Sequence, residues 1–159
     1  MKEDKLGKLS MELSVEVLNL VKDLRNKKEN IISNQIGRSA TSVCANIAES
    51  KYGHSRADFI AKLEIALKEA SETGKWLEML YKTNYIDAIK YKSIDKICST
   101  IRILLIASIK TTKQNAEKSK WILRRHESGG FLFVHFDFYK LLEPFIKMLI
   151  VWNLYIQKL

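Results

Sequence analysis

Apolar residues recur at helical spacing through the first three quarters of the chain. Leu6, Leu9, Leu13, Val17, Leu20 and Leu24 step by three or four and make one stripe, which predicts a helix over about residues 7–27. Met11, Val15 and Leu18 form a second, partial stripe on the same segment. The polar run 26–30 reads as a connection, and a second helix follows over about 31–50. Residues 51–54 stop it, with Gly53 expected as a left-handed C-terminal cap. Ser55 then has the character of an N-cap, with Asp58 three residues on as its capping-box partner. The third helix runs to about Lys82 on Ile60, Leu63, Leu67, Ala70, Gly74, Leu77 and Tyr81. Residues 83–92 read as a connection, and a fourth helix spans about 93–113 on Ile94, Ile97, Ile101, Leu104 and Ser108. The stretch 101–109 is apolar almost all round, so this helix needs a second contact, either another subunit or the C-terminal segment.

Four long helices with short links predict an all-α fold, an antiparallel up-down-up-down four-helix bundle over residues 1–115. Residues 116–159 form an additional C-terminal segment of different character. In it, 129–139 alternates in part like a strand, and 143–156 reads as an amphipathic helix with Pro144 in its first turn. Docking on a membrane surface or partner, packing on the bundle, and an extension with no role of its own are the three readings of this tail.

Composition narrows the functional classes. The 159 residues contain 27 Lys and Arg against 18 Asp and Glu, a net charge of +9, which makes a polyanion a natural partner. One Pro and six Gly leave few turn signals. Cys44 and Cys98 show no metal-ligand spacing and read as buried free thiols, in keeping with a reducing cytoplasm. Acidic residues occupy the place where a secretory signal would be apolar. No window reaches the roughly 18 uncharged apolar residues of a membrane span. No nucleophile–base pair, metal cluster or phosphate loop emerges, so no enzyme, metal or cofactor is expected.

The second helix carries the most unusual composition. On a 100° wheel, Ile32, Ile36, Ala40, Val43 and Ile47 share a core face. Gly37, Thr41, Cys44 and Ala48 make a small face suited to close helix approach. Gln35, Arg38, Ser39, Ser42, Asn46 and Glu49 make a polar face without a catalytic base. Amides, hydroxyls and an opposite-charge pair suit a hydrogen-bonded seam, within the chain or between subunits, better than a ligand site.

The run "ISNQIGRSATSVCANIAES", followed by "SRADFIAKLEIALKEASETGKWLEML", resembles the 23S rRNA intervening-sequence protein family of four-helix bundles. That family includes the accessory variability protein of diversity-generating retroelements. Gln35, Arg38, Ser39, Ser42, Val43, Asn46, Ile47, Ala48 and Glu49 fall on the first half of the family pattern. Asp58, Phe59, Leu63, Ile65 and Ala66 fall on the second, together with Glu69 or Glu72. The resemblance covers about residues 8–115; Ser50, and the Cys44-Ala45 pair, stand where relatives often have Gly and Pro. It implies a cytoplasmic bacterial protein without catalytic activity. It also implies a likeness to a basic homopentamer that binds nucleic acid and a reverse transcriptase.

Two functional expectations follow. The first is a homo-oligomer that binds RNA or DNA with little sequence preference. Its candidate phosphate contacts are Lys51, His54 and Arg56 around the turn between helices two and three, with amides at the start of helix three adding to the field. Tyr52 could stack on a base. Lys27, Lys28 and the Arg124–Arg125 pair are further basic positions. The second is a protein-interaction scaffold that docks a partner such as a reverse transcriptase, with little direct contact to nucleic acid.

Overall fold

The computed structural model describes residues 4–127. The strand-like and amphipathic stretches expected at 129–139 and 143–156 lie outside the described residues, as does the first stretch of the N-terminus. Within the described part, four helices follow in order: α1 (Lys5–Asn26), α2 (Ile31–Ser50), α3 (Arg56–Lys82) and α4 (Ala88–Glu127). Met1–Ser119 forms one compact unit.

The core is the meeting line of the expected stripes. Leu13, Val17, Leu20 and Leu24 of α1, Ile36, Val43 and Ile47 of α2, Leu63 and Leu77 of α3, and Ile94 and Ile101 of α4 are all buried. Burying each such side chain is worth about 1.5–3 kcal/mol, which is what holds four individually marginal helices together. Each helix runs antiparallel to its neighbour, as short links require. The Ser14 hydroxyl lies 2.9 Å from the Ser10 carbonyl and 3.1 Å from the Ala40 carbonyl across the α1–α2 interface. Between α3 and α4, the Cys98 thiol donates to the Ala70 carbonyl at 3.1 Å, and Tyr81 stacks on Tyr91 with centroids 4.9 Å apart.

Several expectations need correction. Gly53 is not left-handed; among the described residues the left-handed ones are Lys28 (φ 62°) and Asn84 (φ 59°), just past the ends of α1 and α3. At Gly53 the constraint is space, because a Cβ would sit 3.1 Å from the Phe59 nitrogen and 3.3 Å from the Ser50 carbonyl. Residues 88–92 are helix rather than connection: the Asp87 carboxylate accepts the Lys90 N–H at 2.7 Å and starts α4 there. At its far end α4 runs past the expected end near 113 to Glu127.

The run 26–30 is more than a polar link. Glu29 is buried, and its carboxylate accepts the N–H groups of Ile31 (3.0 Å), Ile32 (2.8 Å) and Ser33 (2.7 Å). Asn30, at the capping position, makes no side-chain capping bond. Glu29 therefore does the capping one residue early, its carboxylate set against the positive end of α2.

Finally, close approach is not the property of the whole small face of α2. Only Gly37 meets α1 tightly, with its would-be Cβ 3.3 Å from Val21. Thr41 and Ala48 are exposed and Cys44 is half-buried. The tight crossing runs instead through Ser10, Ser14 and Ala40, all buried.

Candidate nucleic-acid interface

The turn between α2 and α3 is wound tightly from residues that cannot continue either helix. The N–H groups of Lys51, Tyr52 and Gly53 bond back to the carbonyls of Ala48, Glu49 and Ser50. Ser55 then caps α3, its hydroxyl accepting the Asp58 N–H at 3.1 Å. Asp58 reaches back and accepts the His54 N–H at 3.2 Å, the reciprocal half of a capping box displaced by one residue. Two N–H groups here are thus already taken, and Asp58 brings a negative charge. The Asp58 carboxylate weakens the pull of this helix start on a phosphate, which shifts the weight of any contact to the cationic side chains.

Tyr52 is 84 % exposed, and His54 and Arg56 are exposed beside it. Lys51 differs: its ammonium is ion-paired with Asp4, the N-cap of α1. That hydrogen bond is the main reason why Lys51 is held above its ordinary pKa and Asp4 below the usual carboxylate value. Asp4 also accepts the Gly7 N–H at 3.0 Å.

Lys27 and Lys28 are at the other end of the bundle. Helix α2 is 20 residues long, so the two turns stand about 30 Å apart. Lys27 donates to the Tyr85 carbonyl at 2.8 Å. The cleft it borders, about 290 Å3, holds two carboxylates (Asp23, Asp87) and two ammoniums (Lys27, Lys90) and is charge-balanced. The six candidate residues therefore make two separate groups: Lys51, Tyr52, His54 and Arg56 at one end, Lys27 and Lys28 at the other. Arg124 and Arg125 fall on the last turns of α4.

The polar face of α2 bonds to α3 within the chain. Ser39 is buried and shares a 2.9 Å hydrogen bond with the buried Thr73. Arg38 pairs with Glu72 at 3.1 Å, and Trp76 donates its indole N–H to the same carboxylate at 3.1 Å. Gln35 accepts from Arg38 at 3.4 Å. Glu49 pairs with Lys62 at 2.6 Å, and Asn46 bonds back to Ser42. Asp58 lies outside this seam, in the first turn of α3. One oxygen of Glu69 is buried along it without a hydrogen-bond partner. Sequence reasoning missed Asp4 and Glu29, whose only signal is an acid one or more residues ahead of a helix start.

Residues 2–107 match the family described as 23S rRNA-intervening sequence protein. The chain belongs to that family. Among solved structures, the intervening-sequence bundle is similar to a crystal structure of a protein with unknown function from the S23 ribosomal protein family of Bacteroides thetaiotaomicron VPI-5482. The two are 50 % identical with a TM-score of 0.65, over 66 % of this chain and 98 % of that one. No functionally curated protein matches the sequence. Among the described residues of this family member, no helix is long and apolar enough to cross a membrane, and no group of three or more His, Cys, Asp and Glu could hold a metal ion.

Proposed function

We propose that this intervening-sequence protein is a non-enzymatic accessory factor that binds the backbone of RNA or DNA and works as a homo-oligomer. The observation that carries the reading is the α2–α3 turn, where exposed Tyr52 stands with His54 and Arg56 on a chain of net charge +9. An aromatic face beside cations offers a base a stacking platform and its phosphate a counter-charge. The family's name, which refers to 23S rRNA, supports the same class of partner. Self-association is supported by α4, where Ile103 and Ile106 are 68 % and 54 % exposed. A ring of copies would repeat the basic turn around one assembly.

Fluorescence anisotropy with labelled RNA and DNA oligonucleotides at low and physiological salt tests the reading. The expected result is sequence-tolerant binding that weakens steeply with salt, and a further loss in Arg56→Glu and Tyr52→Ala. No binding of either nucleic acid at low salt would refute it.

A further inference from the structure

The outer flank shared by α1 and α2 carries a second packing surface. On α1, Lys8, Met11, Val15, Leu18, Lys22 and Arg25 follow alternating steps of three and four. This is the period of a helix seam rather than of a scattered surface. Met11, Val15 and Leu18 at its centre are 57 %, 50 % and 44 % exposed, so nothing in the described structure covers them. The neighbouring row on α2, Asn34, Gly37, Thr41, Cys44 and Ala48, has the same period and only short side chains. Arg25 donates to Asn34 at 3.1 Å, which ties the two rows together along one flank. A ridge of large apolar side chains beside a trough of small ones is the shape that accepts another helix.

Charge says which helix. Every carboxylate of α1 faces the other way: Glu16 pairs with Lys90 of α4, Glu12 borders the α1–α4 groove with Lys92 and Lys96, and Asp23 lies in the cleft with Lys90. The one carboxylate of α2, Glu49, pairs with Lys62 of α3. Asp4, at the end of the flank, is taken by Lys51. The flank therefore has an apolar centre and a cationic end at Lys22 and Arg25: among the described residues Lys22 makes no ion pair, and Arg25 bonds to the neutral amide of Asn34. α4 fits this seat poorly in a second copy, because its outward positions Lys92, Lys96 and Lys110 are exposed cations.

We infer that this flank is a docking seat for an amphipathic helix of a partner protein whose seam is apolar and whose flanking positions are acidic. It does not depend on the nucleic-acid reading, which uses the α2–α3 turn. The stripe from Lys8 to Arg25 fits a partner helix of about five turns.

Two labelled synthetic peptides of about 20 residues test it on the full chain. Both carry Leu and Ile at heptad core positions; one has Glu at the flanking positions and the other Lys. The Glu peptide should bind saturably and at least about tenfold more tightly than the Lys peptide. Val15→Asp, and separately Ala48→Trp at an exposed position that fills the trough, should each weaken it by about tenfold or more. Lys22→Glu with Arg25→Glu should reverse the preference. Circular dichroism confirms that each variant is folded, and light scattering reports oligomeric state alongside. Failure of the Glu peptide to bind, equal binding of both peptides, or indifference to both Val15→Asp and Ala48→Trp would overturn the proposal. So would a wild-type oligomer that Val15→Asp reduces to monomers while neither peptide binds, since the seat would then belong to a second copy. Loss of nucleic-acid binding in Arg56→Glu with peptide binding intact would separate the two sites.

Discussion

Asp4 joins two helix ends that the chain order keeps far apart. It caps α1 through Gly7 and neutralises Lys51 at the end of α2. Replacing it with Asn keeps a capping side chain and removes the charge. Asp4→Asn should therefore free Lys51 and strengthen low-salt nucleic-acid binding several-fold, measurable by anisotropy; an unchanged affinity would take Lys51 out of the interface. Asp4 has a lowered folded-state pKa, so its contribution is present above the ordinary carboxylate range and is lost as pH falls through its folded value. Glu29 is the stronger structural carboxylate, with three N–H groups on it. Glu29→Ala should cost about 1–3 kcal/mol in a urea titration, because it leaves buried donors unmet. The thiols should also separate: burial pushes Cys98 up to about 11, while Cys44 is half-buried. Alkylation at mildly alkaline pH, read by mass spectrometry, should modify Cys44 first and Cys98 only on unfolding.

The helices themselves were legible because burial and periodicity agree. Leu13, Val17, Leu20 and Leu24 recur on one side of α1, and that side is the core. What the pattern could not supply was the chemistry at helix ends. Asp87 starts α4 earlier than its apolar stripe suggests, and Glu29 caps α2 from a position that reads as linker. Left-handed turns fell on Lys28 and Asn84, while Gly53 serves close approach. Periodicity reports which face is buried, whereas a cap depends on where one side-chain oxygen points. The same limit explains α2: the wheel marks one small face, and only contact with α1 shows that the tight crossing is at Ala40 on the core face. Ala40→Leu, at the tight row, should destabilise the bundle by about 1–3 kcal/mol, and Thr41→Leu, one residue on and exposed, by far less. Thermal melts of the two variants make the comparison.

At the scale of the whole molecule, family membership and bundle architecture rest on motif and packing together, and both were readable from the α2 and α3 sequences. The sequence names the candidate residues but does not say which of them stand together. Tyr52, His54 and Arg56 do cluster, but Lys27 and Lys28 belong to the opposite end, because an antiparallel α2 carries the chain across the bundle between them. The proposed self-association has a direct test on α4. Ile103→Asp, at a 68 % exposed position, should leave the melting temperature nearly unchanged and reduce the mass seen by light scattering to that of a monomer. A wild-type monomer would remove the oligomer from the proposal while leaving the basic turn in place.

The length of α2 also sets a ruler. Its 20 residues hold the two lysine-bearing turns about 30 Å apart, close to the rise of one full turn of duplex nucleic acid. A duplex lying along α2 would bring the same groove round to each turn in succession. A copy that holds it at the Tyr52–Arg56 turn would then meet the next turn of the groove beside the charge-balanced Lys27 cleft, leaving a footprint with one protected stretch per copy and an open stretch beyond it.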